Sequence, residues 1–396
     1  MQPPRSRWAP IAGFALASSA NQMAWLAFAP LTTGTAAHFR VSTSTIGLLS
    51  EIFPLLYVIL AMPAGRAVDR SLRKWLGAGA VLSAAGTVLR LAGTTRSGFA
   101  WVLAGQVVVA AAQPLLLNSV TALARRYLAP ADRPVGIAIC SAGTFLGFVL
   151  AFVTGAAIGA ARVNDLLVLG ALYAAAGGAV LVVALARTPC PFGGERTISL
   201  AGLVELRRLW ADPVMRGLVY FVFVGFGVFV SLTTWVQPLL QPAGVSTTTA
   251  DTMLTAMVIA GVASSAVFPP AIAHRGLQLP ALVAGGAATI VGCGLLAADP
   301  GVVGGTIGLC LVGLFLLPGL PVMLEVAERR SGDSAAAAAG LIWLAGQGGG
   351  IVVAAACGAL EGTPWLAFSL LAIVVVSAVP AATRLRGRLS TEGLHP

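Results

Sequence analysis

The sequence predicts an all-α integral membrane protein, with twelve membrane-crossing helices in two six-helix halves. Three observations carry this reading. Of the 396 residues, 58% are apolar and 10% charged, too few charges to cover a water-soluble globule of this size, so lipid must solvate much of the surface. The charged and proline-rich breaks divide the chain into apolar runs, and a bilayer core about 30 Å thick takes roughly 20 apolar residues per helix. Near the middle, residues 188–213 gather Pro, Gly and charge, as a linker between two halves would.

In chain order, the first helix, 11–36, follows Pro10 and stops short of His38 and Arg40. The second, 46–64, ends where the basic stretch Gly65 to Lys74 begins, and the third, 76–93, lies between that stretch and Arg96. The fourth, 98–123, runs to Arg125 and Arg126. The fifth, 135–158, starts after Arg133 and Pro134, and the sixth, 166–186, spans from Asp165 to Arg187. The linker contains the amphipathic run LAGLVELRRLW ending at Trp210, suited to the membrane interface. The seventh helix, 217–239, follows Arg216; the eighth, 252–273, is bracketed by Asp251 and His274; the ninth, 279–297, ends before Asp299. The tenth, 302–324, stops at Glu325. The eleventh, 335–356, begins after Asp333, and the twelfth, 365–382, lies between Pro364 and Arg384. The expected organisation is therefore an N-terminal half, 1–187, a cytoplasmic linker, 188–213, and a C-terminal half, 214–396. The fifth helix of each half, around VGIAICSAGTFLG and AGLIWLAGQGGG, is Gly-rich, a trace of the internal symmetry common in secondary transporters.

Charge sets the orientation. The net charge is +10, and Lys74 is the one lysine. If the N-terminus is cytoplasmic, twenty of the 24 basic residues fall on the cytoplasmic side, Arg40, Arg96 and Arg162 fall outside, and Arg90 lies within a helix. Both termini are then cytoplasmic, in a multi-pass protein of the plasma (inner) membrane. The basic excess fits lipid headgroups and gives no reason to expect nucleic acid. The first apolar run is too long for a removable signal peptide. Cys140, Cys190, Cys293, Cys310 and Cys357 show no CxxC spacing, and His38, His274 and His395 are scattered, so no metal site and no cofactor are expected. Soluble enzymes, DNA-binding modules and disulfide-rich secreted domains are excluded. Membrane lipids and a small-molecule substrate are the expected partners, a proton is the candidate coupling ion, and the expected state is a monomer.

Polar residues deep in apolar helices are costly and point to function. Asn21 and Trp25, spaced i, i+4, share a face of the first helix. Gln106, Gln113 and Asn118 lie on the fourth. Phe226, Phe229 and Thr233 form a stripe on the seventh, and Trp343 and Gln347 are another i, i+4 pair on the eleventh. Aromatic faces with neutral amides suit a small solute bearing an organic cation or a hydroxyl; the alternative is interhelical amide bonding and aromatic packing. Trp8, Trp75, Trp101, Trp210 and Trp365 fall at helix ends, as interfacial anchors do. Glu51 and Arg90 lie at similar depth in the antiparallel second and third helices, where they could pair, for structure or for proton coupling. Glu325 completes this charged set and, with Glu328, Arg329 and Arg330, reads as a cytoplasmic gating cluster.

GRAVDRSLRK, from Gly65 to Lys74, resembles the signature loop of the major facilitator superfamily, Gly-x-x-x-Asp-Arg-x-Gly-Arg-Lys, with Leu72 where the family has Gly. The resemblance implies the twelve-helix major facilitator fold, two six-helix halves with pseudo-two-fold symmetry, and alternating access around a site between them. Gly65, Asp69, Arg70 and Arg73 are the gating candidates: Asp69 can accept charge-assisted hydrogen bonds from arginines or a helix N-terminus. The second half has a degenerate counterpart, PPAIAHRG, with His274 in place of the acid. NQMAWLAFAPLTTGTAAHFRVS, PLLYVILAMPAGRAVDR, GTVLRLAG, GQVVVAAAQPLLLNSVTALARRYL and GIAICSAGTFLG further resemble the feline leukaemia virus subgroup C receptor-related branch, described as haem, choline and ethanolamine transporters. That resemblance implies an amine pocket to which Trp25, Gln113 and Gln347 correspond. A seventh-helix Tyr of the branch falls near Val230, beside Phe229, and Glu51 stands where the branch is apolar. Drug/proton antiporters carry an Arg in the fourth helix and a Gly-Pro in the fifth, both missing here, and the buried arginines of nitrate porters are missing too.

The function expected is secondary active or facilitative transport of a small polar organic solute, with an amine favoured. The alternatives are export of a hydrophobic drug or natural product, and a nontransporting membrane receptor or sensor, against which the intact Asp69 loop argues.

Overall fold

The computed structural model describes residues 5–95, 98–159, 162–192 and 202–378. Every regular element among them is helical. The α-helices are α1 (Ala9–Leu26), α2 (Thr32–Phe39), α3 (Thr43–Arg70), α4 (Leu72–Leu89), α5 (Phe99–Leu117), α6 (Val120–Tyr127), α7 (Arg133–Ile158), α8 (Val163–Arg187), α9 (Gly202–Ala211), α10 (Pro213–Leu240), α11 (Thr247–His274), α12 (Gln278–Ala298), α13 (Val302–Leu316), α14 (Gly319–Ser331), α15 (Ala335–Gly358) and α16 (Pro364–Val376). Ten helical spans among the described residues are long and apolar enough to cross a membrane, and they coincide with the second to eleventh predicted helices. Exposed Leu48, Leu55, Ile59, Leu172, Val267, Val303 and Ile373 are the side chains a lipid-solvated surface requires.

Three predicted single helices are broken. The first stops at Leu26 and resumes, through a short 3-10 turn at Ala29–Leu31, as α2. Pro30 in that turn cannot donate a backbone hydrogen bond. The fourth is divided at Asn118 and Ser119 into α5 and α6, four residues after Pro114, and the Ser119 hydroxyl donates to the Leu115 carbonyl at 2.7 Å. The tenth is divided at Leu317 and Pro318 into α13 and α14. The fourth helix of each half is thus among those interrupted, each time at or shortly after a proline.

The chain forms two compact units: Met1–Leu200 with Asp333–Gly340, and Ala201–Gly332 with Leu341–Pro396. The start of α15 therefore belongs to the first unit and the remainder of that helix to the second. Within the first unit, α1 packs on α7 and α8, α3 on α5, and α4 on α5 and α8. Within the second, α11 packs on α13, and α12 on α13 and α16. A repeat that sequence reading overlooked strengthens the correspondence. Val41-Ser42-Thr43-Ser44-Thr45 opens α3 and Val245-Ser246-Thr247-Thr248-Thr249 opens α11, both helices 28 residues long. Each serine caps its helix by accepting from the backbone N–H three residues on, Ser42 from Thr45 at 3.1 Å and Ser246 from Thr249 at 3.2 Å.

Close approach of helices rests on glycine. A Cβ on Gly349 of α15 would collide with the Phe223 carbonyl of α10, and one on Gly105 of α5 with the Gly86 carbonyl of α4. Small residues at these positions let backbones touch where lipid supplies no hydrophobic drive between helices.

Candidate functional site

In the first unit the polar side chains are arranged around α1. Asn21, Gln22, Gln106 and Gln113 are all fully buried. Gln113 donates to the Gln22 Oε1 at 3.3 Å, Gln22 donates to the Asn21 Oδ1 at 3.4 Å, and Asn21 donates to the Ser83 hydroxyl at 2.9 Å and the Val109 carbonyl at 3.1 Å. The network binds α1 to α4 and α5 and leaves the Gln113 Oε1 buried without a hydrogen-bond partner among the described residues. Gln22 carries its middle and had no place among the sequence candidates, because a glutamine beside an asparagine gives no periodic signal of its own.

One turn further along α1, Trp25 donates its indole N–H to the Ser50 carbonyl at 2.8 Å. It stacks on Phe53, with ring centroids 5.5 Å apart, and meets Phe148 edge to face at 5.6 Å. The amide at this level is Gln106, which donates to the Leu49 carbonyl at 3.0 Å and the Trp25 carbonyl at 3.5 Å, with its Oε1 unpartnered among the described residues. Asn21 and Trp25 share a helix but serve different neighbours, and Gln113 reaches α1 through Gln22.

The anticipated pairing of Glu51 with Arg90 is absent. Glu51 is exposed and has no partner among the described residues, whereas Arg90 is 3% exposed. Arg90 crosses instead to the last turn of α1, where it donates to the Ala24 carbonyl at 3.2 Å, and its guanidinium lies 5.8 Å from the Phe28 ring centre. The break after Leu26 leaves terminal carbonyls without intrahelical donors, and a cation there also meets the negative end of the helix dipole.

The signature loop behaves as a cap. Gly65 and Asp69 are buried and Arg70 is exposed, with no partner among the described residues. The Asp69 Oδ2 accepts from the Ala337 backbone N–H in the first turn of α15 at 3.1 Å, and Thr121 donates to the Ala335 carbonyl at 2.7 Å; these contacts lie within the first unit. Arg126 donates to the Asp69 carbonyl at 3.3 Å. Arg73 donates to the Tyr127 hydroxyl at 3.0 Å and to the Thr188 carbonyl. Burial pushes the Tyr127 phenol up to about 12, so it stays neutral at ordinary pH. Leu72, where the family has Gly, is fully buried as the first residue of α4. Lys74 projects outward with its ammonium 5.5 Å from the Trp75 ring centre.

In the second unit, Trp343 and Gln347 are buried one turn apart on α15, and neither the indole N–H nor the Gln347 Nε2 has a partner among the described residues. Phe226 meets Trp343 edge to face at 5.8 Å and lies 5.8 Å from Phe229. At the end of α14, Glu325 is ion-paired with Arg329. Arg330 reaches the Asp212 Oδ2 at 2.7 Å while the Asp212 Oδ1 caps α10 by accepting from Val214 at 2.9 Å. Asp212 was legible as an acid just before a helix-opening proline, and sequence reading passed over it. No cluster of His, Cys, Asp and Glu that could hold a metal ion occurs among the described residues.

The family model described as Major Facilitator Superfamily matches residues 14–354. Solute carrier family 49 member A3 of Danio rerio is 26% identical over 361 residues, 87% of this chain and 76% of that protein. Among solved structures, the human organic anion transporter MFSD10 superposes with a TM-score of 0.75 at 17% identity, covering 94% of this chain and 99% of that one. The transporter FucP in its outward conformation gives 0.75 at 18% identity, covering 95% and 99%.

Proposed function

This chain belongs to the Major Facilitator Superfamily, and from that membership we propose that it carries a small polar organic solute, an amine by preference, across the membrane by alternating access. The observation that carries the reading is the set of buried polar atoms left over once the helices have satisfied one another. The Trp343 indole N–H and Gln347 Nε2 are unused donors in the second unit, and the Gln106 and Gln113 Oε1 atoms are unused acceptors in the first. Buried polar groups are nearly always paired, and inside a lipid-solvated bundle unpaired ones mark a ligand or an ion path. In either unit, a polar solute would meet buried hydrogen-bonding atoms that the protein itself leaves unused. The name of the Danio rerio relative, a solute carrier, supports the same class.

Trp25, Gln113, Phe229, Trp343 and Gln347 are the residues proposed to contact the solute, with Asn21 holding the amide chain in register. Gly65, Asp69, Arg70 and Arg73 govern the conformational cycle. The plasma membrane, with both termini cytoplasmic, is the proposed location, the monomer the proposed working unit, and a proton the proposed coupling ion. Counterflow of labelled amines, amino alcohols and amino acids in proteoliposomes tests the reading. Exchange of at least one of them, weakened several-fold on Gln347→Ala, is the expected result; accumulation of lipophilic drugs alone would replace it with export of hydrophobic compounds.

A further inference from the structure

Arg90 is a buried charge that no acid among the described residues of the first unit pairs with. Its neighbours leave a specific part of it unused. One terminal nitrogen, Nη1, is taken by the Ala24 carbonyl, while Nε and Nη2 are buried with no partner among the described residues. Those two N–H groups lie side by side on one edge of the guanidinium plane, the edge with which arginine grips a carboxylate through two parallel hydrogen bonds. No described acid of this unit is available to fill it. Glu51 is exposed, Asp69 is held by Ala337, Asp132 accepts from Ser6, and Asp165 is paired with Arg162 at 2.6 Å.

The surroundings add two further observations. Arg90 meets α1 in its last turn, at the break that follows Leu26, and interrupted helices at membrane depth are where transporters build solute sites. Gln106, whose Oε1 is also unused, reaches the same turn at the Trp25 carbonyl. Gly105, beside it, leaves no room for a Cβ against the Arg90 Cγ, so the arginine stem is pinned between α4 and α5. A fixed bidentate donor edge and a nearby unpaired amide oxygen together describe a receptor for a carboxylate that has an N–H or O–H donor close by.

We infer that Arg90 anchors the carboxylate of the transported solute through its Nε and Nη2 edge, which makes the substrate class small amino or hydroxy acids. The inference rests on the transport reading and narrows it: the amine carries an acid group. It also gives Arg90 a role that capping α1 does not require, since a lysine could supply charge to the Ala24 carbonyl but has no such edge.

The test uses acid and alcohol pairs that share one skeleton: glycine with ethanolamine, glycine betaine with choline, and lactate with propane-1,2-diol. Uptake of each is measured with the full chain in proteoliposomes, and the shift in melting temperature with the purified protein in detergent, for the wild type, Arg90→Lys and Arg90→Gln. The acid-to-alcohol ratio within one preparation cancels differences in the amount of folded protein. In at least one pair the wild type should favour the acid by about tenfold or more, as expected for a lost charge-assisted bidentate contact. Arg90→Lys and Arg90→Gln should bring that ratio close to unity. A wild type that favours the acid in no pair, or a preference that survives both substitutions, overturns the inference. A wild type that is stabilised by the acid but moves none of the compounds would end the transport reading and leave the carboxylate anchor standing. Transport of the alcohols without any preference for the acids would do the reverse.

Discussion

At the scale of single residues, the contacts of Trp25 separate two jobs that one side chain performs. Its ring fills space against Phe53 and Phe148, and its N–H satisfies the Ser50 carbonyl. Trp25→Phe keeps the stack and drops the hydrogen bond, so it should lower the melting temperature by the few degrees that correspond to about 1 kcal/mol. Trp25→Ala opens a cavity, which in protein cores costs about 3–5 kcal/mol, and should leave little folded protein; solute affinity is therefore better read in the Phe variant. Trp343 and Gln347 present the opposite case, because their donors stabilise nothing in the unit that holds them. Gln347→Ala should weaken solute binding several-fold, the equivalent of about 1 kcal/mol, with the melting temperature of the solute-free protein unchanged or raised; a large loss of stability would show the amide to be structural. Residue types and helix membership were legible in the sequence, since a mid-helix glutamine or tryptophan is conspicuous in an apolar run. Partners were not. Arg90 looked like the mate of Glu51 because depth was the available guide, and the break in the first helix, which redirects the arginine to carbonyls, depends on backbone geometry around Pro30.

At the scale of elements, the second to eleventh membrane spans and most of their boundaries could be read from hydropathy, because crossing a bilayer demands length and apolarity at once. The interruptions in the first, fourth and tenth helices could not, although a proline stands at or just before each. Proline is tolerated inside membrane helices, and it remains within α3 at Pro54 and Pro63 without ending the helix. Which proline breaks a helix depends on whether neighbours pair the released carbonyls, as Ser119 does for Leu115. Two glycines of long helices test the packing. Gly349→Ala forces a methyl against the Phe223 carbonyl and should lower the melting temperature clearly, whereas Gly170→Ala on α8, with nothing within 4 Å of the added methyl, should be neutral or slightly stabilising. Equal effects from the two would mean that helix propensity, and not close approach, sets the cost. The matching serine caps of α3 and α11 were visible as a repeated VST string, but a five-residue echo gains weight only when both copies open helices of equal length.

At the scale of the whole molecule, the signature loop and the start of α15 meet through one carboxylate. Asp69 offers a full negative charge to the N-terminal turn of that helix, an arrangement worth about 0.3–1 kcal/mol at exposed sites and up to about 2 kcal/mol when partly buried. Asp69→Asn retains an acceptor oxygen and loses the charge. Turnover in proteoliposomes should fall while the solute Kd of the purified protein stays within about twofold, because the change removes a bias between conformations and not a contact with solute. Wild-type turnover in that variant would remove Asp69 from the cycle. The sequence made the acid recognisable through GRAVDRSLRK, and gave no sign that its partner would be a backbone N–H some 270 residues away, at Ala337.

Lys74, exposed beside Trp75 and five residues beyond Asp69, is the single lysine in the chain. An amine-reactive fluorophore applied above neutral pH would therefore attach to no other side chain. The indole next to it is a ready quencher, so the unmutated protein carries its own optical reporter at the loop that contains Asp69. Changes in emission during turnover would follow that loop in real time, and Lys74→Arg supplies the control that lacks a label at the loop.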